Sequence, residues 1–369
     1  MFFLFFNYAH KYLLAAKYGY DYSKTRPAKI KTILPAVELK TISITAERTV
    51  KRMSNHFGDR LYQAVKDKRT PLVVGLDPVY NRIPDAIKTH RRMNDEFDAS
   101  AAIDAIFEFC TQTMRVIAPM VPAVKLNIAY FEKYLWEGVE AYYSLISEAD
   151  NLGLEFIGDV KRGDIGHTAQ LYAQAHLQNC ELTGLEDTLA PDCITVNGFA
   201  GAEGIEPFAE VATQQGKGVF VWVHSSNASA AAIQDFADAA GQKMYEKIAE
   251  VVAEIAHKSD RIGKSGYSNV GMVVGGITGQ AGTALREKYD KIWFLVPGYG
   301  AQGASAGECI RFCRRDGTGA LINASRSIIY AHEKPQYKEQ FGDDWKRCVA
   351  QAVTDAKIEL SNAFGSRIY

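Results

Sequence analysis

The stretch "LEFIGDVKRGDIGHTAQLYAQAHLQNC" (Leu154 to Cys180) joins three kinds of sequence in 27 residues. It opens on the apolar run "LEFIG". Two carboxylates, a lysine and an arginine then crowd into the six residues from Asp159 to Asp164. A helical pattern, "GHTAQLYAQAHLQNC", follows. An apolar run this continuous suits a strand covered on both faces, as in a parallel sheet. The stretch therefore reads as one strand-to-helix unit, with charge concentrated where the buried strand ends.

The same alternation recurs along the chain from residue 71. The other apolar runs are "PLVVGLD" (71–77), "VPAVKLN" (121–127), "CITVN" (193–197), "GVFVWVH" (218–224), "VGMVVGG" (270–276), "KIWFLVPG" (291–298) and "GALINAS" (319–325). With residues 154–161 they make eight. Between them lie helical candidates such as "AAIDAIFEFCTQTMRVIA" and "AYFEKYLWEGVEAYYSLISEA". Eight such units in about 300 residues predict a (β/α)8 TIM barrel. A doubly wound open sheet is the structural alternative, but no GxGxxG follows the first run. The insert between the fifth and sixth strands exceeds what one crossover helix needs and predicts two helices or an excursion on the lid side.

A barrel of this kind carries its chemistry at the C-terminal strand ends. Polar residues gather there: Asp77, Lys125 with Asn127, Asp159 with Lys161, Asn197, Ser225 with Ser226, Gln302 and Arg326. Any one of these alone reads as a cap or turn residue, and Asn127 and Asn197 are left so. The Lys-Asp-Lys set is different. Asp159 and Lys161 are spaced i, i+2, so their side chains leave one face of the strand, and Lys125 reaches that face from the neighbouring strand. An isolated buried lysine would lose its proton and an isolated carboxylate would gain one. Alternation keeps all of them charged. Such a set could be a structural ion-pair network. Desolvation makes buried pairs poor stabilisers, so a functional role is the first expectation.

The loops after the seventh and eighth strands, "VPGYGAQG" (296–303) and "NASRSI" (323–328), suggest a phosphate site. Gly298, Gly300 and Gly303 permit close backbone approach, Arg326 can grip a dianion through paired hydrogen bonds, and Gln302 adds an amide donor.

The whole chain has 369 residues, 47% hydrophobic and 23% charged, with a formal net charge of -1. That charge gives no reason to expect nucleic acid or a membrane as partner. Residues 1–52 stand apart. They hold ten Lys or Arg against three Asp or Glu, a surplus of seven, which leaves the remainder at -8. No run in them approaches the ~18 apolar residues of a membrane span. They read as a basic N-terminal extension, disordered or the product of a misassigned start. The barrel domain then spans residues 53–369, opening on "MSNHFGDRLYQAVKDKR" with Phe57, Leu61 and Val65 at helical spacing. The six cysteines, Cys110, Cys180, Cys193, Cys309, Cys313 and Cys348, are scattered. Cys309 and Cys313 could share a helix face, but no second ligand pair joins them. A reduced, cytoplasmic chain without a zinc site is the expectation.

"DVKRGDIGHT" resembles the Asp-x-Lys-x-x-Asp-Ile signature of orotidine 5'-phosphate decarboxylase, in the subgroup found mainly in bacteria. The resemblance runs from about residue 57 to 365. It takes in "VVGLDP", "VKLNIAYFE", "ITVNGFAGAEGIEPF", "SSNASA", "LVPGYGAQG" and "SRSIIYA" in family order. The short charged core is shared with sugar-phosphate decarboxylases and aldol-type synthases of the same superfamily; the seven blocks in order are far more specific. The resemblance implies that Lys125, Asp159, Lys161 and Asp164 form a charged catalytic tetrad, with Lys161 protonating C6. It implies that Asp164 reaches into the site of a partner subunit, with Ile165 and Thr168 beside it, in a homodimer. Asp77 and Lys125 would hold ribose hydroxyls, Ser226 the pyrimidine, and Gln302 and Arg326 the 5'-phosphate. The reaction implied is loss of CO2 from orotidine 5'-phosphate, the last step of de novo UMP synthesis, with no metal or organic cofactor. The chain departs from the subgroup at His224, where arginine is expected, at Ala228, where proline is common, and in "VVGGITG". None of these is in the tetrad.

Overall fold

Eight parallel strands pair in sequence order and close on themselves. They are β1 (Leu72–Leu76), β2 (Ala123–Asn127), β3 (Glu155–Arg162), β4 (Cys193–Asn197), β5 (Gly218–His224), β6 (Val270–Val274), β7 (Phe294–Pro297) and β8 (Ala320–Ala324), and β8 pairs back to β1. This is the expected (β/α)8 barrel. The closure rules out the open sheet. The computed structural model describes residues 56–90, 98–185, 188–300 and 303–365. The proposed extension, residues 1–52, and Gln302 lie outside them.

Two apolar layers explain why the strands read as unbroken hydrophobic runs. Alternate residues, one from each strand, fill the barrel: Val73, Ala123, Ile157, Cys193, Phe220, Val273, Leu295 and Leu321. Their neighbours, such as Val74, Val124, Phe156 and Ile194, face outward into a second core with helix residues including Phe109, Leu145, Phe208 and Val349. A period of two splits each run between the two layers, and neither face meets water.

The helix Phe57–Lys68 closes the floor of the barrel. Phe57, Leu61 and Val65 belong to the interior cluster, and Phe57 meets Phe220 edge-on at 6.4 Å. Each such side chain contributes about 1.5–3 kcal/mol of burial, as an upper estimate. The approach is close enough to demand a glycine: a Cβ at Gly218 would lie 2.2 Å from the Phe57 ring. Arg60 of the same helix bridges Glu155 and Asp192, at 3.1 and 3.0 Å, beside the starts of β3 and β4. Among the described residues this helix covers the N-terminal strand ends, opposite the end where the charged residues gather.

Two expectations need adjustment. The pattern at residues 129–149 is two helices, Ala129–Glu132 and Leu135–Leu152, not one. Leu135 takes a φ of +56°, and a Cβ on Gly138 would strike the carbonyl oxygen of Phe131 at 1.9 Å, so the chain folds tightly against itself there. Cys309 and Cys313 do not share an α-helix: Ala306–Cys309 gives way to a 3-10 turn, Ile310–Phe312. The long insert after β5 forms two helices, Ala230–Gln234 and Met244–Ala256, as its length predicts. Among the described residues no helix is long and apolar enough to cross a membrane.

Candidate active site

The charged cluster sits at the open end of the barrel, on β2 and β3. Lys125 Nζ donates to Asp159 Oδ2 at 2.9 Å, and Lys161 Nζ donates to Asp159 Oδ1 at 2.6 Å. Asp77, just past β1, brings Oδ1 to 3.8 Å from Lys125 Nζ. This Oδ1 is buried and makes no hydrogen bond among the described residues. The register pairs Asn127 with Asp159 and Lys125 with Ile157, so Lys125 reaches up along the barrel axis to its partner.

Each charge is stabilised by its neighbours. Burial would strip Lys125 of its proton, but Asp159 and then Asp77 outweigh it and hold its pKa above the usual lysine value. Burial likewise works against ionised Asp159. Lys125 and Lys161 overcome that and keep its carboxyl well below the usual carboxylate range. The two lysines differ in access: the Lys125 side chain is 7% exposed and that of Lys161 is 41% exposed. Lys125 is therefore committed to the array, while Lys161 presents its ammonium to whatever enters the barrel mouth.

Lys161 meets Asp159 as expected, but not through a regular pleat. Its φ is +46°, and the β3–β4 register shifts between Gly158 and Arg162. Two residues that sequence reasoning passed over shape this corner. Thr195 on β4 donates to Asp159 Oδ1 at 2.9 Å and accepts the Lys161 N–H at 3.0 Å. Trp222 on β5 places its ring 6.0 Å from Lys161 Nζ and remains 36% exposed at the mouth. A polar residue in "CITVN" and a large aromatic at an inward position were the available signals.

Asp164 and Thr168 do not join the cluster within one chain. Asp164 Oδ1 accepts the Ile165 N–H at 2.8 Å, and among the described residues Asp164 forms no ion pair. Thr168 is exposed on the helix Gly166–Leu177. Ser226 is half-buried after β5, where a Cβ on Gly275 would meet its own Cβ at 2.9 Å. Arg326 is exposed at the first position of the short helix Arg326–Ile329. Gly298, Gly300 and Gly303 on the preceding loop all take positive φ, between 71° and 112°, a backbone conformation that glycine adopts without steric cost. Asn127 and Asn197 accept from the N–H two residues on, as turn residues do.

The model of the family described as Orotidine 5'-phosphate decarboxylase / HUMPS matches residues 70–340. The chain belongs to this family. Its description carries two names, and the relatives below bear the first of them. The chain is 32% identical to an orotidine 5'-phosphate decarboxylase of Clostridium acetobutylicum over 297 residues, 80% of this chain and 97% of the relative. It is 34% identical to an orotidine 5'-phosphate decarboxylase of Caldicellulosiruptor bescii over 311 residues, 84% of this chain and 99% of the relative. The solved structure of Leishmania donovani OMP decarboxylase matches with a TM-score of 0.61 at 26% identity, covering 84% of this chain and 99% of that one. As an orotidine 5'-phosphate decarboxylase, the protein is a carboxy-lyase that converts orotidine 5'-phosphate to UMP in de novo pyrimidine synthesis. The decarboxylase match covers every strand of the barrel, from β1 to β8.

Proposed function

We propose that Lys161 is the general acid of the decarboxylation. The C6–carboxylate bond breaks, CO2 leaves, and the electron pair stays on C6, where the ring delocalises it poorly. The ammonium of Lys161 stabilises that pair and then transfers a proton to C6, giving UMP; solvent returns a proton to the amine. One observation carries this reading. Lys161 is the exposed cation of a buried array whose other members keep it supplied with negative charge. Asp159 lies where the departing carboxylate would be repelled, and it opposes desolvation of Lys161. Asp77, whose buried Oδ1 accepts no hydrogen bond among the described residues, and Lys125 suit ribose hydroxyls. Ser226 binds the pyrimidine. Arg326 holds the 5'-phosphate beside the glycine loop, with Gln302, which lies outside the described residues. The binding energy of that remote phosphate serves the chemistry at C6.

The enzyme acts as a homodimer in the cytoplasm, with Asp164, Ile165 and Thr168 completing the partner's site. Support comes from the apolar residues around Asp164. Ile165 is 56% exposed on the loop after β3, Leu171 51% on the helix Gly166–Leu177 and Phe199 73% on the loop after β4. Free cysteines throughout the chain fit a reducing compartment.

The test is loss of ultraviolet absorbance as orotidine 5'-phosphate is consumed, in wild type and Lys161→Ala. The variant should lose essentially all turnover and keep its melting temperature. A near-normal kcat would remove Lys161 from the mechanism.

A further inference from the structure

The corner that presents Lys161 is irregular. β3 and β4 run in parallel register through Ile157↔Cys193 and Gly158↔Ile194, then jump to Arg162↔Val196. Four residues advance on β3 while two advance on β4, so β3 carries two extra residues opposite Thr195. A bulge of this kind leaves backbone groups without their ladder partners. Lys161 lies within it at a φ of +46°, where a side chain with a Cβ sits only if its surroundings hold it.

Thr195 supplies the hold. Its hydroxyl accepts the Lys161 N–H at 3.0 Å and donates to Asp159 Oδ1 at 2.9 Å. A hydroxyl has one proton to give, and this one goes to the same carboxylate oxygen that receives Lys161 Nζ at 2.6 Å. The three groups form a closed ring: Lys161 amide to Thr195 hydroxyl, hydroxyl to Asp159, and Asp159 to Lys161 ammonium. Thr195 is 2% exposed, so its hydroxyl is shut off from bulk water. The turn at Lys161 and the direction of its ammonium are thus tied to one oxygen on the neighbouring strand.

We propose that Thr195 is a positioning residue for the reaction, holding the left-handed turn that aims the Lys161 ammonium at the reacting carbon. This rests on the reading of Lys161 as proton donor. Without the hydroxyl the Lys161 N–H is orphaned, the turn relaxes toward ordinary strand geometry, and the ammonium moves. A displacement of about 1 Å at a reacting group can cost on the order of 100-fold. Substrate affinity, set largely by the remote phosphate, is spared.

The test compares Thr195→Val, which keeps the shape and removes the hydroxyl, with Thr195→Ser, which does the reverse. Valine should lower kcat by about 10- to 100-fold with KM within about 3-fold of wild type, and serine should restore kcat to within about 3-fold. If valine turns over like wild type, or if serine is as slow as valine, the inference is overturned. Should the valine variant not fold, Thr195→Ala set against Thr195→Ser makes the same hydroxyl deletion, and equal kcat values overturn the inference. Lys161→Ala, assayed alongside, separates the two levels. A wild-type rate there removes the proton-donor reading and this inference with it. An inactive Lys161→Ala beside an unimpaired Thr195→Val removes only the role of Thr195.

Discussion

The hydroxyl of Tyr330 donates to the carbonyl oxygen of Asp77 at 3.0 Å and accepts the Val79 N–H at 2.6 Å. It pins the turn after β1 to the segment after β8, 253 residues away. The ring is buried, stacked on Phe109 and covered by the Arg82 guanidinium, 3.8 Å from its centroid. Tyr330→Phe keeps that packing and frees the turn that carries Asp77. It should raise KM for orotidine 5'-phosphate about 3- to 10-fold and cost about 1 kcal/mol of stability. Steady-state kinetics and a denaturant melt check both numbers, and an unchanged KM would detach Tyr330 from substrate binding.

Arg326→Ala should act on the opposite end of the substrate. Removing a charged grip on a dianion should lower kcat/KM roughly 100-fold or more, with KM raised. Inorganic phosphite should recover part of the turnover on a substrate trimmed of its phosphate. Kinetics equal to wild type would take Arg326 out of the site.

His176 makes acid sensitivity local to the β3 corner. It is buried, and its Nε2 accepts from Arg162 Nε at 3.2 Å. Burial first, and the Arg162 charge second, lower its pKa from 6.5 to about 4. The unfolded chain therefore takes up the proton first as pH falls. The native state loses stability below about 6.5, and the loss levels off near 4, at no more than about 3 kcal/mol. His176→Gln should show a smaller drop in melting temperature between pH 7 and 4.5 than wild type. Equal pH slopes would assign the acid sensitivity to other groups.

Subunit mixing tests the shared site. Asp164→Ala and Lys161→Ala should each be inactive alone. In a dimer of one of each, one site has both mutations and the other has neither, so mixing after denaturation and refolding should return about a quarter of the wild-type rate. A mixture as inactive as its parents would mean that Asp164 serves its own chain.

A chain beginning at Met53 should match the full-length protein in melting temperature and kcat/KM. The motive is the charge step between residues 1–52 and the remainder, together with a barrel floor already sealed by Phe57, Leu61 and Val65. A large loss of either quantity on truncation would make residues 1–52 an integral part of the enzyme.

The barrel was legible in the chain because burial on two sides leaves a local mark. Each strand must be apolar on both faces, so eight continuous runs stand out without any knowledge of their partners. The floor helix was legible for a similar reason, since Phe57, Leu61 and Val65 keep helical spacing over nine residues. The pairing of Lys125, Asp159 and Lys161 also followed from their places at adjacent strand ends.

What the tertiary structure alone decided is how those charges are aimed. The left-handed turn at Lys161 comes from a register shift between β3 and β4, and a register shift belongs to two strands together, not to either sequence. Thr195 and Tyr330 bond to residues 34 and 253 positions away, so the residues beside them do not say which groups they meet. Closing the barrel sets which hydroxyl meets which backbone N–H, and that choice fixes the turn from which the Lys161 side chain leaves the strand.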